Sequence, residues 1–201
     1  IGSDTSSIMG YIKQYDSLMV VKDDNQQDAE VFLRTAEMQT DGTVIFPIKQ
    51  GIKGVGAVSK YAFDTLRDDP LFLAREGVFG ISSTSVQLER NIQDRSYFVN
   101  TELTKESGLD EAVSVVWNGY YILCINKCFV ADSRHRSAKM DGGASYSESG
   151  SYVQYGYEWY YWTNIPARVF FEQDGNLFFG TAEGKICRFN TDRGKMNKYN
   201  D

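Results

Sequence analysis

Short apolar runs separated by polar turn residues recur along this chain, and their length predicts β-strands rather than helices. The clearest example is 167–191, ARVFFEQDGNLFFGTAEGKICRFNT, where two tight turns separate three apolar runs. Gly175 and Gly184 lie in these turns, and a hairpin turn needs a positive φ that glycine adopts without a Cβ clash. The stretch therefore predicts a three-stranded antiparallel meander, which needs neighbouring elements to bury its apolar face.

The same succession of runs and turns occurs three more times, at 11–35, 61–82 and 113–132. The four second runs, LMVV, LFLA, YILC and LFFG, are continuously apolar, as expected for strands that are covered on both faces. Equivalent positions within them are Leu18, Leu71, Tyr121 and Leu177. Their spacing of roughly 50 to 56 residues lies in the range of propeller blades.

These repeats predict an all-β fold, namely a β-propeller or a partial propeller of about four blade-like antiparallel meanders. They form a single domain over 1–201, with units near 11–48, 61–99, 113–132 and 152–191. Residues on the continuously apolar strands should be almost wholly buried. They are Phe72, Leu73, Ile122, Leu123, Phe178 and Phe179.

Connecting segments complete the predicted architecture. Residues 44–48 should add a fourth, outer strand to the first unit, and 103–113 predicts one short connector helix with Thr104 as its cap. The Gly-rich tract 50–57 lacks the Gly-Lys-Ser/Thr of a phosphate loop, so we expect a crossing where the backbone passes close to a neighbour. The Gly/Ser-rich stretch 133–151 predicts a flexible loop.

The two ends of the chain bear on whether the blades close into a ring. Both ends carry little strand material, and the chain begins at Ile1 without an initiator Met. Of two alternatives, a closed ring of four blades and an open piece of a longer protein, we expect the open piece. Its last blade would expose an apolar face of the kind that drives association with another copy.

The net charge, the apolar runs and the cysteine content restrict the partners and the cellular compartment that we expect. A net charge of −6 and a pI near 4.9 argue against a nucleic-acid-binding surface, which needs a basic stripe. No apolar run reaches the length of a membrane span. The three cysteines, Cys124, Cys128 and Cys187, are too few for a disulfide framework. Because hairpin neighbours such as Cys124 and Cys128 rarely bridge, we expect reduced thiols in a cytosolic protein.

No arrangement of residues in the sequence predicts catalysis, a cofactor site or a metal site. His135, the one histidine, is flanked by Arg134 and Arg136, which is a poor setting for a general base. A metal site made of His135, Cys124 and Cys128 would lack a fourth ligand. The carboxylates fall in predicted turns, where they satisfy local hydrogen bonds, so we expect a protein that is not an enzyme.

The aromatic tract 152–162, YVQYGYEWYYW, is the strongest candidate for a contact surface. Strand alternation places Tyr155, Tyr157, Trp159 and Tyr161 on one face. Exposed Tyr and Trp side chains are enriched at protein interfaces, and they also stack on sugar faces. The alternative is that some of these rings fill the space between adjacent blades.

Two parts of the sequence carry a resemblance to a known family. They are the run 51–82, GIKGVGAVSKYAFDTLRDDPLFLAREGVFGIS, and Trp162 with the later LFFGTAEGKICRF. Together they resemble segments of propeller-like virion proteins of tailed bacteriophages and prophages of Gram-positive bacteria. The resemblance covers most of 11–191, and its motifs are structural. It implies a tail or neck protein without catalytic residues, located in the virion and, during assembly, in the bacterial cytoplasm. Its expected partners are other virion proteins and copies of itself. The alternative is a carbohydrate-binding or glycosidase-type bacterial propeller.

Overall fold

The computed structural model describes residues 4–25, 28–83, 90–138 and 155–189, with the backbone alone at 82–83, 90–91, 136–138 and 155. Within these residues β-strands predominate, which confirms the all-β prediction. The strands in chain order are β1 (Ile8–Gln14), β2 (Ser17–Lys22), β3 (Glu30–Thr35), β4 (Glu37–Met38), β5 (Val44–Ile45), β6 (Ile48–Lys53), β7 (Phe63–Leu66), β8 (Asp69–Ala74), β9 (Gly77–Ser83), β10 (Arg90–Asp94), β11 (Val113–Trp117), β12 (Tyr120–Cys124), β13 (Cys128–Ala138), β14 (Tyr155–Trp162), β15 (Val169–Gln173), β16 (Asn176–Gly180) and β17 (Ile186–Arg188). The described helical segments are α1 (Asn100–Leu103) and a 3-10 turn at Leu109–Glu111, and neither has the length of a membrane-spanning helix.

In the described part of the chain, four antiparallel sheets of three or four strands follow one another, and each is formed by strands that are close in sequence. Sheet I has the order β1-β2-β3-β6, sheet II β7-β8-β9-β10, sheet III β11-β12-β13-β14, and sheet IV β15-β16-β17. A short hairpin, β4-β5, is inserted between β3 and β6. The first strands of successive sheets are neighbours, since β7 contacts β1 and β11, and β11 contacts β15.

A two-residue turn joins the first two strands of every sheet. The first residue of each turn has a left-handed backbone, namely Tyr15 (φ 52°), Arg67 (58°), Asn118 (49°) and Asp174 (52°). Two-residue hairpins favour positive φ here because it matches the twist of the flanking strands. The strand pairing after these turns gives the equivalent positions Leu18, Pro70, Tyr121 and Leu177. The alignment from sequence is therefore one residue out in sheet II, because Asp69 and Pro70 belong to β8 and not to the turn.

Three apolar clusters fill the spaces between successive sheets. Strand β8 shows why the second strands are apolar throughout. Its Leu71 and Leu73 pack toward sheet III, whereas Phe72 and Ala74 pack toward sheet I. The residues of β12 alternate in the same way between sheets II and IV. Sheets II and III are thus covered on both faces, and a period-2 polar pattern is not possible in their central strands.

Burial follows the sequence prediction at five of six positions. The side chains with no exposed surface are Phe72, Leu73, Ile122, Leu123 and Phe179. Phe178 is only half-buried, so the prediction is wrong there. The reason lies in sheet IV: Leu177 and Phe179 pack on sheet III, while Phe178 points to the opposite face.

The connecting segments differ from the sequence predictions. The outer strand of sheet I is β6, because residues 44–45 pair with β4 instead. Gly108, with φ 78°, separates α1 from the 3-10 turn, so no continuous helix forms at 103–113, and Thr104 ends α1 rather than starting a helix. Strand β13 continues to Ala138, so the predicted loop 133–151 begins as strand, and its remaining residues lie outside the described ranges.

The Gly-rich tract brings two backbones together, as the sequence predicts. A Cβ on Gly56 would lie 2.6 Å from the carbonyl oxygen of Lys22, so the close approach requires glycine. Next to it, Ala57 forms a parallel bridge with Asp23. This crossing leads the chain from sheet I into sheet II.

Cys124 and Cys128 are joined by a disulfide, which corrects the prediction of reduced thiols for this pair. The two residues are directly paired across the β12-β13 hairpin, with their Cα atoms 4.0 Å apart. The prediction was wrong because it used the general geometry of hairpin neighbours, whereas the register of this hairpin places the two cysteines directly opposite each other. Cys187 is a free cysteine.

Asp64 connects the first strands of sheets II and III. Its carboxylate accepts the backbone N–H of Val116 in β11 at 2.6 Å and that of Thr65 at 2.8 Å. Burial raises the pKa of the Asp64 carboxyl above its ordinary value, and the two N–H donors only partly oppose this shift. The charged form is therefore disfavoured where the first strands meet.

Leu123→Ala should lower the free energy of unfolding by roughly 2–5 kcal/mol, because truncation leaves a cavity between sheets II and III. Urea unfolding followed by circular dichroism measures the change. Ile186→Ala is the matched control, since this side chain is 73% exposed and its truncation should cost less than about 0.5 kcal/mol. If Leu123→Ala is as stable as the wild type, β12 does not lie between two sheets.

The stability of the wild type relative to Asp64→Asn should rise as the pH falls from neutral. A raised pKa means that the folded state binds the Asp64 proton more readily than the unfolded state, whose pKa is near 3.8. The gain should accumulate below the folded-state pKa and level off once the pH is under the unfolded value. Urea unfolding of both proteins over a pH series measures this difference. A difference that stays constant, or shrinks toward acid, would contradict the environment assigned to Asp64.

Candidate functional site

Residues 155–162 of the aromatic tract form β14, the outer strand of sheet III, and only part of this strand is exposed. Tyr157 is 2% exposed, and its hydroxyl donates a hydrogen bond to Oδ2 of Asp69 at 2.8 Å. This residue joins sheet III to sheet II and does not belong to a contact surface. Tyr155 begins the strand with its backbone, and its side chain is outside the described part.

Trp159 and Tyr161 lie on the same face of β14 as Tyr157 but nearer its end. Trp159 is half-buried, and its indole N–H donates to the carbonyl oxygen of Arg95 at 2.8 Å. Tyr161 is exposed, and the ammonium group of Lys127 lies 5.3 Å from its ring centroid. Of the four predicted contact residues, Tyr161 is therefore exposed and Trp159 partly so.

An open groove of about 500 Å³ lies at the outer edge of sheet III. Its lining residues are Phe98, Glu158, Trp159 and Tyr160. Phe98 and Tyr160 are both exposed, and the hydroxyl of Tyr160 donates to Glu158 Oε2 at 3.1 Å. This hydrogen bond and the charge of Glu158 raise the pKa of the Tyr160 phenol.

Neither Phe98 nor Tyr160 is among the four contact residues predicted from the sequence, because Phe98 lies outside the aromatic tract and strand alternation places Tyr160 on the other face of β14. Phe98 follows Tyr97 in the polar segment after β10, and the two rings meet edge to face at 5.6 Å. Two adjacent aromatic residues in a polar connector, RSYFVN, are the signal that could have identified this wall of the groove.

A buried charge pair holds the Trp159 side of the groove. Nε of Arg95 lies 2.7 Å from Oδ2 of Asp69, and both side chains are less than one-tenth exposed. The same Asp69 oxygen accepts the Tyr157 hydroxyl. Gly80 lies close to this pair. A Cβ at residue 80 would be only 2.6 Å from Asp69 Oδ1, so the pair leaves no room for a side chain there. With Arg95 fixed, its carbonyl oxygen sets the orientation of the Trp159 indole.

A second hydrogen-bond network holds the loop that carries Phe98. Asp94 accepts the Ser96 backbone N–H at 2.9 Å and the Asn100 side-chain amide at 2.7 Å. The Ser96 hydroxyl in turn accepts the backbone N–H of Val78 at 2.6 Å. Both walls of the groove are therefore attached to sheet II by buried or half-buried polar contacts, so the groove is largely preformed.

A second, more polar cavity of about 420 Å³ lies elsewhere, lined in part by Asp23, Arg75, Glu106 and Asp110. Burial works against ionisation of Glu106, but a hydrogen bond from Lys127, whose ammonium is 2.9 Å away, lowers the pKa of its carboxyl. Arg75 is held by the carbonyl oxygen of Asp24 at 2.7 Å. The ion pair and this hydrogen bond connect loops of different sheets, so the polar residues of this cavity have structural roles.

The described residues contain no group of three or more His, Cys, Asp or Glu side chains placed to hold a metal ion. His135 is exposed at an irregularity of β13. Among the described residues, Glu158 is the carboxylate that lines the groove. The groove thus presents aromatic faces for packing and a carboxylate that can accept hydrogen bonds.

Asp69→Ala should lower the free energy of unfolding by about 3–5 kcal/mol, because it leaves Arg95 as a buried charge without its carboxylate. Chemical unfolding measures the loss, and tryptophan fluorescence should report the released Trp159. Arg168→Ala is the matched control, since it breaks an exposed ion pair with Glu111 and should cost less than about 1 kcal/mol. Equal effects of the two changes would show that the Asp69 pair does not support the groove.

No protein-family model matches the chain, and comparison with curated proteins gives no significant match.

Proposed function

We propose that this chain is a propeller-like module of a phage or prophage virion that works through protein–protein contacts and not through catalysis. The groove at the edge of sheet III is the contact site. The observation that carries the proposal is the exposure of Phe98 and Tyr160 on a framework that is braced from behind by Asp69 and Arg95.

The arrangement of the sheets supports the propeller part of the proposal. In a propeller, four-stranded meanders are arranged radially, with the first strands near the centre and the fourth strands outside. Here the first strands β1, β7, β11 and β15 are successive neighbours, and each space between adjacent sheets is filled by an apolar cluster. The fourth strand of sheet III, β14, would then carry the groove on the outer rim.

The residue types support a protein partner. Interface hot spots are enriched in Trp, Tyr and Arg, and they lie where rigid side chains exclude water. A large aromatic side chain held on a preformed surface loses little conformational entropy on binding. The virion assignment itself is supported by the sequence resemblance of 51–82 and of the later LFFGTAEGKICRF run.

Carbohydrate binding is the second candidate function, and one observation favours it. The groove combines aromatic rings with Glu158, and this combination also suits a sugar, whose C–H face stacks on a ring while its hydroxyls donate to a carboxylate. A glycan array probed with the wild type and with Phe98→Ala tests this function directly. Specific binding to a glycan that Phe98→Ala abolishes would replace the assembly proposal.

Phe98→Ala and Tyr160→Ala should each weaken binding to virion proteins by about tenfold or more, because each removes an exposed aromatic contact worth over 1 kcal/mol. The probe is the immobilised chain, and the measurement is capture of proteins from dissociated virions of a lysogen that carries the gene. Tyr11→Ala is the control, since Tyr11 is 59% exposed on sheet I, far along the chain from the groove.

Intact particles give an independent measurement. Virions purified on a density gradient should contain the chain at a constant ratio to the other virion proteins. Particles that lack the chain would contradict the virion assignment, and equal capture by all three variants would remove the groove as the contact site.

A further inference from the structure

The groove at the outer edge of sheet III combines aromatic rings with negative charge. Phe98, Trp159 and Tyr160 contribute the rings, and Glu158 contributes a carboxylate. Among the described residues that line the groove, none is basic. The face of an aromatic ring carries partial negative charge, so the rings and the carboxylate attract the same kind of group. The lining is therefore complementary to a cation.

Sheet III contains a similar set of groups that already holds a cation, and that cation is one of its own side chains. The guanidinium of Arg134 lies over the ring of Tyr120, 4.9 Å from the ring centroid. It also donates to both carboxylate oxygens of Asp132, from Nε to Oδ1 at 2.9 Å and from Nη2 to Oδ2 at 2.7 Å. A tyrosine ring and a carboxylate thus hold one arginine here. We call these three residues the internal arginine site.

Strand pairing places Glu158 and Tyr160 beside the internal arginine site. Tyr120 pairs with Asp132 across β12 and β13, and Asp132 pairs with Glu158 across β13 and β14. Residues paired in this way lie on one face of a sheet, about 5 Å apart between adjacent strands. Tyr160 lies two positions farther along β14 on the same face, and its hydroxyl donates to Glu158. The groove thus repeats the carboxylate and the tyrosine of the internal site at the edge of the sheet.

The two carboxylates differ in the groups that balance their charge. Asp132 is buried, and hydrogen bonds from the Arg134 guanidinium lower the pKa of its carboxyl. Glu158 is exposed, and it accepts its hydrogen bond from the uncharged phenol of Tyr160. That bond and the charge of Glu158 raise the pKa of the Tyr160 phenol. The negative charge of Glu158 is therefore available to a positive group that enters the groove.

We propose that the groove binds an arginine side chain of a protein partner, whose guanidinium stacks on the exposed rings and donates to Glu158. Arginine suits these groups better than lysine, because its planar head stacks on rings and donates two parallel N–H bonds to a carboxylate. A lysine ammonium is compact and strongly hydrated. The groove volume of about 500 Å³ is sufficient for a group of this size.

This inference rests on the proposed assembly function, because it identifies the chemical group by which a protein partner is recognised. A neutral sugar is the competing occupant of the groove. It also stacks on aromatic rings and donates hydrogen bonds to a carboxylate, but it carries no positive charge. A test of the charge requirement therefore separates the two occupants.

NMR titration of the chain with capped tripeptides tests this requirement. The probes are Ala-Arg-Ala and the same peptide with citrulline in place of arginine, since citrulline keeps the shape and the planar N–H donors but is neutral. The arginine peptide should shift the backbone N–H signals of Glu158 and Tyr160. It should bind about threefold or more tightly than the citrulline peptide, because it alone gains the ion pair and the cation–π contact.

Glu158→Gln should reduce the preference for the arginine peptide to less than about twofold, since glutamine keeps the size of the side chain and removes its charge. Glu172→Gln is the matched control, because Glu172 is an exposed carboxylate of β15 in sheet IV and its replacement changes the net charge equally. This control should leave the preference unchanged. Circular dichroism checks that both variants fold, and the comparison of the two peptides on the wild type does not depend on them.

Equal binding of the arginine and citrulline peptides to the wild type would overturn the inference, and so would a preference that survives Glu158→Gln. A glycan that shifts the groove signals, without any preference for arginine, would make the sugar the occupant instead. The virion proposal fails separately. Loss of virion-protein capture with retained arginine binding would contradict the virion assignment alone, whereas capture without a preference for arginine would contradict only this inference.

Discussion

The central strands of sheets II and III have to be apolar on both faces, because another sheet packs against each side. This constraint explains why the LFLA and YILC runs contain no polar residue. It also explains why a further sheet precedes and follows each of these two sheets along the chain. The second strands of these two sheets, β8 and β12, each contribute alternate residues to two different clusters, so each of these sheets buries residues of both its neighbours. The two-residue turns keep the alternation in phase, since a shift of one residue would exchange the two faces. The stability of the fold is thus distributed over contacts between sheets.

The groove depends on the same packing. Asp69 stands at the start of β8, where it pairs with Arg95 from the end of sheet II and with Tyr157 from sheet III. A buried ion pair of this kind contributes little net stability, but it defines one geometry and is costly to break. Here it positions the carbonyl oxygen that holds Trp159. Buried polar groups of sheets II and III therefore orient Trp159, one of the side chains that line the groove.

The candidate site was predicted only in part, and individual residues show why. The tract 152–162 contains the strand that lines the groove, because aromatic density is visible in sequence. Alternation alone assigned Tyr157 and Tyr161 to one face, yet one is buried and the other exposed. The difference comes from sheet II, which covers the start of β14 and not its end. Phe98 reaches the groove from a different sheet through a loop held by Asp94 and Asn100, a long-range contact that no local pattern contains.

The sequence by itself predicted the all-β class, the four successive meanders and five of the six central-strand residues named as buried, because hydrophobic runs and turn residues are local signals with a fixed period. It also identified the Gly56 crossing. Only the tertiary structure decided the strand register in sheet II, the Cys124–Cys128 disulfide and the exposed position of Phe178. These features depend on which residues lie opposite each other across strands and sheets. Such pairings are made between distant parts of the chain, and the local pattern is the same whether a neighbouring sheet is present or absent.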